Sequence, residues 1–349
     1  MSLTALDWLD QPIPAPDWPQ AERALQRQGR LTKPPGSLGR LEELAVMFCA
    51  WQGAERPWLG RLRTVIFAAD HGVVAEGVSA FPQSVTAQMI RNFANGGAAI
   101  SVLARDLGAE LEVINLGTVE PMETMDAVLD QRIAPGTLNF CQQPAVSQPQ
   151  MAQALNAGHE AVQRAGDTQL LIGGEMGIGN TSAATAVACA ILGLPAVELT
   201  GPGTGLSEEA VAHKAAVIQR ALDLHRVSAP LDALRCMGGF EVAALTGAYI
   251  ACGQARLPAL VDGFISSVAA LVAITLKPEL KQWLVFSHRS AEPGHARVLE
   301  YLEAEPLLDL GMRLGEGSGA AVLVPLLRMA CSLHNNMATF AEAGVTEGA

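Results

Sequence analysis

Two glycine-rich segments carry the residue types from which a binding and catalytic site can be made. One reads LLIGGEMGIGNTSAATA, from Leu170 to Ala186, and the other RLGEGSGAAVLVPLL, from Arg313 to Leu327. In each, glycines lead into an apolar stretch with helical spacing. That arrangement aims free backbone N–H groups and a helix dipole at one spot, which suits a phosphate. Asn180, Thr181 and Ser182 add side-chain donors, or cap the helix. The first segment holds more glycines than a tight strand-to-helix turn needs, which favours anion binding. It lacks the Gly-Lys-Ser/Thr of a Walker loop, so an ATPase loses its main support.

Each segment also holds a carboxylate, Glu175 and Glu316. Gly315 to Ala320 matches G-x-G-x-x-A, but no convincing strand precedes it and no second strand with an acidic end follows. NAD binding of the Rossmann type is therefore disfavoured. Glu316 is either a general base with flexible flanks or a carboxylate in a solvated loop, and the residues alone leave both open. Its pKa is open too, since burial would raise it and a helix dipole would lower it. Gly201-Pro202-Gly203-Thr204-Gly205 could supply a second phosphate wall, with Lys214 as a contact or as a solvated lysine. Asp70, before His71 and Gly72, reads as a structural acceptor of backbone N–H groups. Ser79, Phe81 and Gln88 lie on a loop running into a helix, which is either a cradle for a flat heterocycle, with an aromatic face and donors, or a plain surface loop. No nucleophile elbow and no metal-ligand spacing occur.

The elements that would position these residues alternate. Candidate strands are 64–70, 111–117, 169–174, 196–201, 258–263 and 283–288. Helical stretches between them include 85–107, 150–165, 181–192, 208–224, 240–252, 265–273 and 294–302. This predicts an α/β fold, a doubly wound, mostly parallel sheet of about six strands with ligands beyond the strand carboxyl ends. Residues 1–60 look helical and distinct, with helical spacing over 21–27 and 41–51. After Pro306 the chain turns helical again and ends in a polar, frayed tail, AEAGVTEGA.

The chain has 349 residues, half of them hydrophobic, and a formal charge of −12 with only four lysines. No basic stripe appears, so nucleic acid and anionic membranes are poor partners. Six scattered cysteines read as free thiols in a reducing cytoplasm. The first residues lack the pattern of a signal peptide. The most apolar stretch, 257–276, contains Asp262 and reads as a buried strand and helix rather than a membrane span.

Taken together, KPPGSLGRLE (33–42), AADHGVVAEGVSAFPQSVTAQM (68–89), GGEMGIGNTS (173–182), TGPGTG (200–205), VDGFISS (261–267) and LGEGSGAA (314–321) resemble one family closely, nearly end to end and in order. It is the nicotinate-nucleotide:dimethylbenzimidazole phosphoribosyltransferases, which act in assembling the lower ligand of cobalamin. The resemblance implies transfer of the 5-phosphoribosyl group of nicotinate mononucleotide to 5,6-dimethylbenzimidazole. The products would be α-ribazole 5′-phosphate and nicotinate, with inversion at the anomeric carbon and no cofactor, metal or redox step. It implies a homodimer, a Rossmann-like large domain (61–324) and a small helical domain from both chain ends (1–60 with 325–349). It places the catalytic base at Glu316, with Glu175 as an orienting or auxiliary carboxylate. The nucleotide and its phosphate would fall to Gly174, Gly177, Ile178, Gly179, Asn180, Thr181, Gly203, Lys214 and Asp262. The base would meet Ser79, Phe81, Gln88, Met176 and Leu314. Two rivals are an NAD-dependent enzyme of similar fold and a non-catalytic nucleotide sensor.

Overall fold

Short apolar runs ending in glycine or acid build the sheet. A computed structural model describes residues 6–203 and 205–346. The strands are β1 (Leu62–Ala69), β2 (Glu110–Gly117), β3 (Val128–Asp130), β4 (Leu170–Met176), β5 (Ala259–Val261) and β6 (Leu284–Phe286). All pair in parallel, in the order β3-β2-β1-β4-β5-β6. The direction of winding reverses between β1 and β4, and in such sheets the crevice at that reversal takes the ligand. Val65, Ile66 and Phe67 of β1 are sealed from solvent, as a central strand covered on both faces requires.

The helices are α1 (Trp18–Gln28), α2 (Arg40–Gln52), α3 (Ser84–Ala94), α4 (Ala99–Leu107), α5 (Gln148–Gln163), α6 (Asn180–Leu192), α7 (Ala196–Leu199), α8 (Glu208–His225), α9 (Pro230–Met237), α10 (Phe240–Gln254), α11 (Phe264–Leu276), α12 (Pro293–Tyr301), α13 (Ser318–Asn336) and α14 (Phe340–Ala343). The stretch 257–276 is β5 followed by α11, whose residues are buried through Ile274. Among the described residues no helix is long and apolar enough to cross a membrane. All six cysteines are free, and five are buried.

Three expectations are corrected. The run 196–201 is not a strand but the single-turn helix α7, entered from Pro195 and closed by Thr200, whose Oγ1 donates to the Ala196 carbonyl at 2.7 Å. The sheet has no slot for it, because β4 pairs directly with β5. The sixth strand is instead β3, three residues pairing with β2. A period cannot be read from three residues. The stretch 85–107 is two helices, broken at Gly96, whose φ of 79° is left-handed. The tail is not frayed throughout: α14 is closed by a capping box between Thr339 and Glu342. Residues 347–349 of that tail, and Thr204 of the TGPGTG segment, lie outside the described residues.

The two chain ends meet. The Arg27 guanidinium donates to the carbonyls of His334 (2.9 Å) and Asn335 (3.2 Å), and Leu31 bridges Thr339. Ala21, Ala24, Val46, Cys49 and Ala50 form a small apolar cluster apart from the main core. The division proposed at 324/325 falls inside α13, which carries Pro325.

Candidate active site

A cavity of about 540 Å³ opens at the carboxyl ends of β4, β5 and β6. Of the residues expected at a site, Phe81, Glu175, Met176, Gly177, Ile178, Asn180, Thr181, Gly203, Asp262 and Leu314 line it. Gly174, Gly179, Lys214 and Glu316 stand behind its wall rather than on it, and Ser79 and Gln88 lie outside the lining. Ser79 forms a local turn, its hydroxyl bonding both the carbonyl and the N–H of Phe81. Gln88 is exposed on α3.

The first glycine loop joins β4 to α6. Gly179, with a φ of 98°, is the residue before α6, and Asn180 N–H closes the turn onto Gly177 carbonyl at 3.0 Å. Ile178 N–H donates to Thr86 Oγ1 at 3.1 Å, which fixes the loop to α3. Opposite α6, Lys214 reaches from α8. Its ammonium donates to Thr181 Oγ1 at 2.8 Å and to the Gly201 carbonyl at 3.4 Å. It is 1% exposed, so the solvated-lysine alternative is overturned. Burial pulls its pKa down to about 8, with the Glu292 carboxylate pulling the other way. Arg313, exposed at the rim, donates to the Gly203 carbonyl at 3.0 Å. This end of the cavity thus holds one enclosed cation and one solvated one in an acidic protein.

The second loop precedes α13. Gly315, Glu316 and Gly317 follow one another with φ values of 86°, 63° and 82°. Left-handed backbone suits glycine and strains a glutamate, and such strain persists only where neighbours over-determine it. Asp262, at the end of β5, is one of those neighbours. Its oxygens accept Gly317 N–H at 3.2 Å and Ala320 N–H at 2.8 Å, which also caps α13. Gly174 is another, since a Cβ there would fall 2.5 Å from the Glu316 carbonyl oxygen. Glu175 is a third: it accepts a hydrogen bond from the Asn180 amide, and Glu316 N–H faces it. It therefore links the two glycine loops.

Glu316 is buried, with its Oε2 sealed and without a hydrogen-bond partner among the described residues. Ile100 N–H, at the start of α4, faces its carboxylate. Burial, helped by Asp262, raises its pKa despite that N–H. Burial wins over the helix terminus, and the solvated-loop alternative for Glu316 is excluded. Glu175 is raised further, first by burial and then by the negative charges of Glu241, Asp262 and Glu316. Such a concentration of carboxylates complements a positively charged ligand centre. Asp70, as read from the sequence, accepts a backbone N–H, that of Val119 at 2.9 Å.

Several groups received no site role from the sequence. Glu292 is 6% exposed on the wall, and the Gly203 N–H faces it. His288, Ser290 and Ser266 line the same wall. The strand-end rule reaches Ser287-His288-Arg289 and stops there. It says nothing about Glu292, whose only local signal is the Pro293 that opens α12. Beneath the first loop, His71 Nε2 and Glu241 Oε1 pair at 2.7 Å, both sealed.

The comparisons agree with this geometry. The profile of a phosphoribosyltransferase family matches residues 13–345. A nicotinate-nucleotide–dimethylbenzimidazole phosphoribosyltransferase of Pseudomonas syringae pv. syringae is 60% identical over 97% of this chain and 98% of its own length. Its counterpart in Pseudomonas aeruginosa is 58% identical over 98% and 99%. The crystal structure of CobT from Thermus thermophilus superposes with a TM-score of 0.90 at 44% identity, covering 95% of this chain and all of that one. By its sheet order, its two glycine loops and its likeness over nearly its whole length, the chain belongs to the nicotinate-nucleotide–dimethylbenzimidazole phosphoribosyltransferase family.

Proposed function

We infer that this chain transfers the 5-phosphoribosyl group of nicotinate mononucleotide to 5,6-dimethylbenzimidazole, giving α-ribazole 5′-phosphate and nicotinate. The observation that carries the residue roles is Glu316, a strained, buried carboxylate with one unpartnered oxygen beside an anion loop. One benzimidazole nitrogen attacks the anomeric carbon while the N–H of the other passes its proton to Glu316. The glycosidic bond breaks with its electron pair going to the pyridine nitrogen, so the departing nicotinate needs no acid. Attack opposite that bond inverts the centre. The carboxylates Glu175 and Glu316 favour the cationic pyridinium and the positive charge that grows at the anomeric carbon. Phe81 and Leu314, 48% and 58% exposed at the cavity mouth, are apolar faces waiting for a flat ring. Met176 completes that slot, whereas Ser79 and Gln88 stand outside its lining. Asp262 acts by holding the base loop, because its oxygens are already engaged.

The test is to incubate the protein with both substrates and follow nicotinate and the α-riboside phosphate by HPLC. Equimolar appearance of the two supports the reading. Nucleotide binding without turnover would move it to the sensor. Binding of NADH would move it to the dehydrogenase.

The phosphate end gives a second expectation. Lys214→Met should raise KM for the nucleotide about tenfold, the usual scale for a hydrogen bond to a charged group, with a smaller change in kcat. In the wild type, KM should climb as pH rises through about 8, where the buried ammonium loses its proton. A flat KM between pH 7 and 9 in Lys214-intact protein would remove Lys214 from the phosphate site. As the resemblance also implies, we propose a homodimer with the two chain ends forming its small domain, and from the free thiols we propose that it works in the cytoplasm. Light scattering of the pure protein tests the first point.

A further inference from the structure

Asp70 and His71 follow β1 and lie under the first glycine loop, and neither lines the cavity. Both are sealed from solvent. His71 forms the floor. A Cβ at Gly177 would fall 3.2 Å from His71 Nε2, and one at Gly179 would fall 3.0 Å from its Cβ, so the loop rests on this residue. Glu241 holds the ring in turn, at 2.7 Å.

The start of α3 is tied to the same two residues. Gln83 Nε2 donates to the His71 carbonyl at 3.0 Å, and the Thr86 hydroxyl faces the Asp70 carboxylate. Thr86 is fully buried and differs from other helical threonines of this protein. Thr185, Thr246 and Thr275 each give their hydroxyl to the carbonyl four residues back, at 2.7, 2.9 and 2.7 Å. Among the described residues Thr86 makes no such bond, and its Oγ1 instead accepts Ile178 N–H at 3.1 Å. An amide can only donate, so the hydroxyl proton is left for Asp70. Val119 N–H occupies Asp70 Oδ2 at 2.9 Å, while Oδ1 is sealed and not otherwise engaged among the described residues.

The consequence falls on the loop. Ile178 lines the cavity, but its amide is spent on Thr86, as that of Asn180 is spent on the Gly177 carbonyl. The loop is therefore ordered before a ligand arrives, which spares binding that cost. Resting on the function proposed above, we propose that Asp70 and Thr86 are positioning residues for the nucleotide phosphate: Asp70 sets the direction of the Thr86 hydroxyl, and Thr86 holds the anion loop through Ile178. Neither needs to touch a ligand. Val119 N–H must keep an oxygen, so Asp70→Asn would turn its NH₂ toward Thr86 and reverse that hydroxyl.

The experiment measures KM for each substrate, and the affinity for nicotinate mononucleotide by calorimetry. Thr86→Val, which keeps the shape and removes the hydroxyl, should raise KM and Kd for the nucleotide about tenfold. KM for 5,6-dimethylbenzimidazole should stay within about twofold, and Thr86→Ser should restore the nucleotide values to within about threefold. Asp70→Asn should also weaken the nucleotide, but should add nothing in the Thr86→Val background, because the two act in series. Unchanged nucleotide values in Thr86→Val would overturn the assignment. So would equal losses for both substrates, which would mark a general packing role, or a serine variant as poor as the valine one. If Thr86→Val does not fold, Asp70→Asn carries the same comparison of the two KM values. Nucleotide binding without turnover by the unaltered protein would overturn the proposed function alone, and the calorimetry would still decide the roles of Asp70 and Thr86. A wild type that binds no nucleotide would overturn both.

Discussion

Glu316→Gln is expected to lose turnover by about 10²–10⁴-fold, the usual contribution of a positioned proton acceptor, while nucleotide affinity stays within about twofold of normal. Glutamine keeps the length of the side chain and an oxygen that can face Ile100 N–H, but it cannot take the benzimidazole proton. Single-turnover HPLC separates chemistry from product release, and calorimetry reports the nucleotide. Wild-type turnover in this variant would sink the base assignment. The same residue predicts a pH effect. With its pKa raised above 4.5, the acid limb of kcat/KM should lie above the range of an ordinary glutamate. The stability effect has a definite sign. A carboxyl raised by burial favours the folded state below its unfolded pKa, and that contribution is lost as pH rises through the higher folded value. The glutamine variant should therefore melt above the wild type at pH 8, with the gap closing toward pH 5.

Gly174→Ala is expected to fold, with a destabilisation of about 1–3 kcal/mol, and to lose about 100-fold in kcat. Its Cβ would meet the Ile66 side chain, which can yield. It would also stand 2.5 Å from the Glu316 carbonyl oxygen and 2.6 Å from its carbonyl carbon, which cannot yield without moving the loop. The alanine reaches no ligand, so its effect tests whether the placement of Glu316 sets the rate. A folded Gly174→Ala enzyme with unchanged kcat would show that the loop tolerates displacement.

What the sequence disclosed follows from how local each signal is. The loop from Gly174 to Thr181 and the helix after it are written in consecutive residues, and they fold as read. The same holds for β5 and α11. AVELTG has strand-forming residues, but whether a strand forms depends on a free place in the sheet, and β5 occupies the place beside β4. β3 is too short to carry a period. The site divides in the same manner. Glycines and carboxylates at strand ends are visible, whereas the burial of Glu316 depends on Asp262 and on α4, far away in the chain. The enclosure of Lys214 depends on Thr181 and Glu292. Those partners are set by packing, which no local pattern records.

The meeting of the two chain ends has a consequence for synthesis. Arg27 and its acceptors His334 and Asn335 are 307 and 308 residues apart. A ribosome working at about 5–20 residues per second needs roughly 15–60 s to cover that distance. During that time α1 and α2 have emerged, but their partner helix has not been made. The catalytic loop belongs to the same late segment. The nascent chain thus carries a nearly complete sheet with an unfinished covering and no base. Only once α13 is made can the covering close, and the catalytic loop that precedes it arrives at the same time.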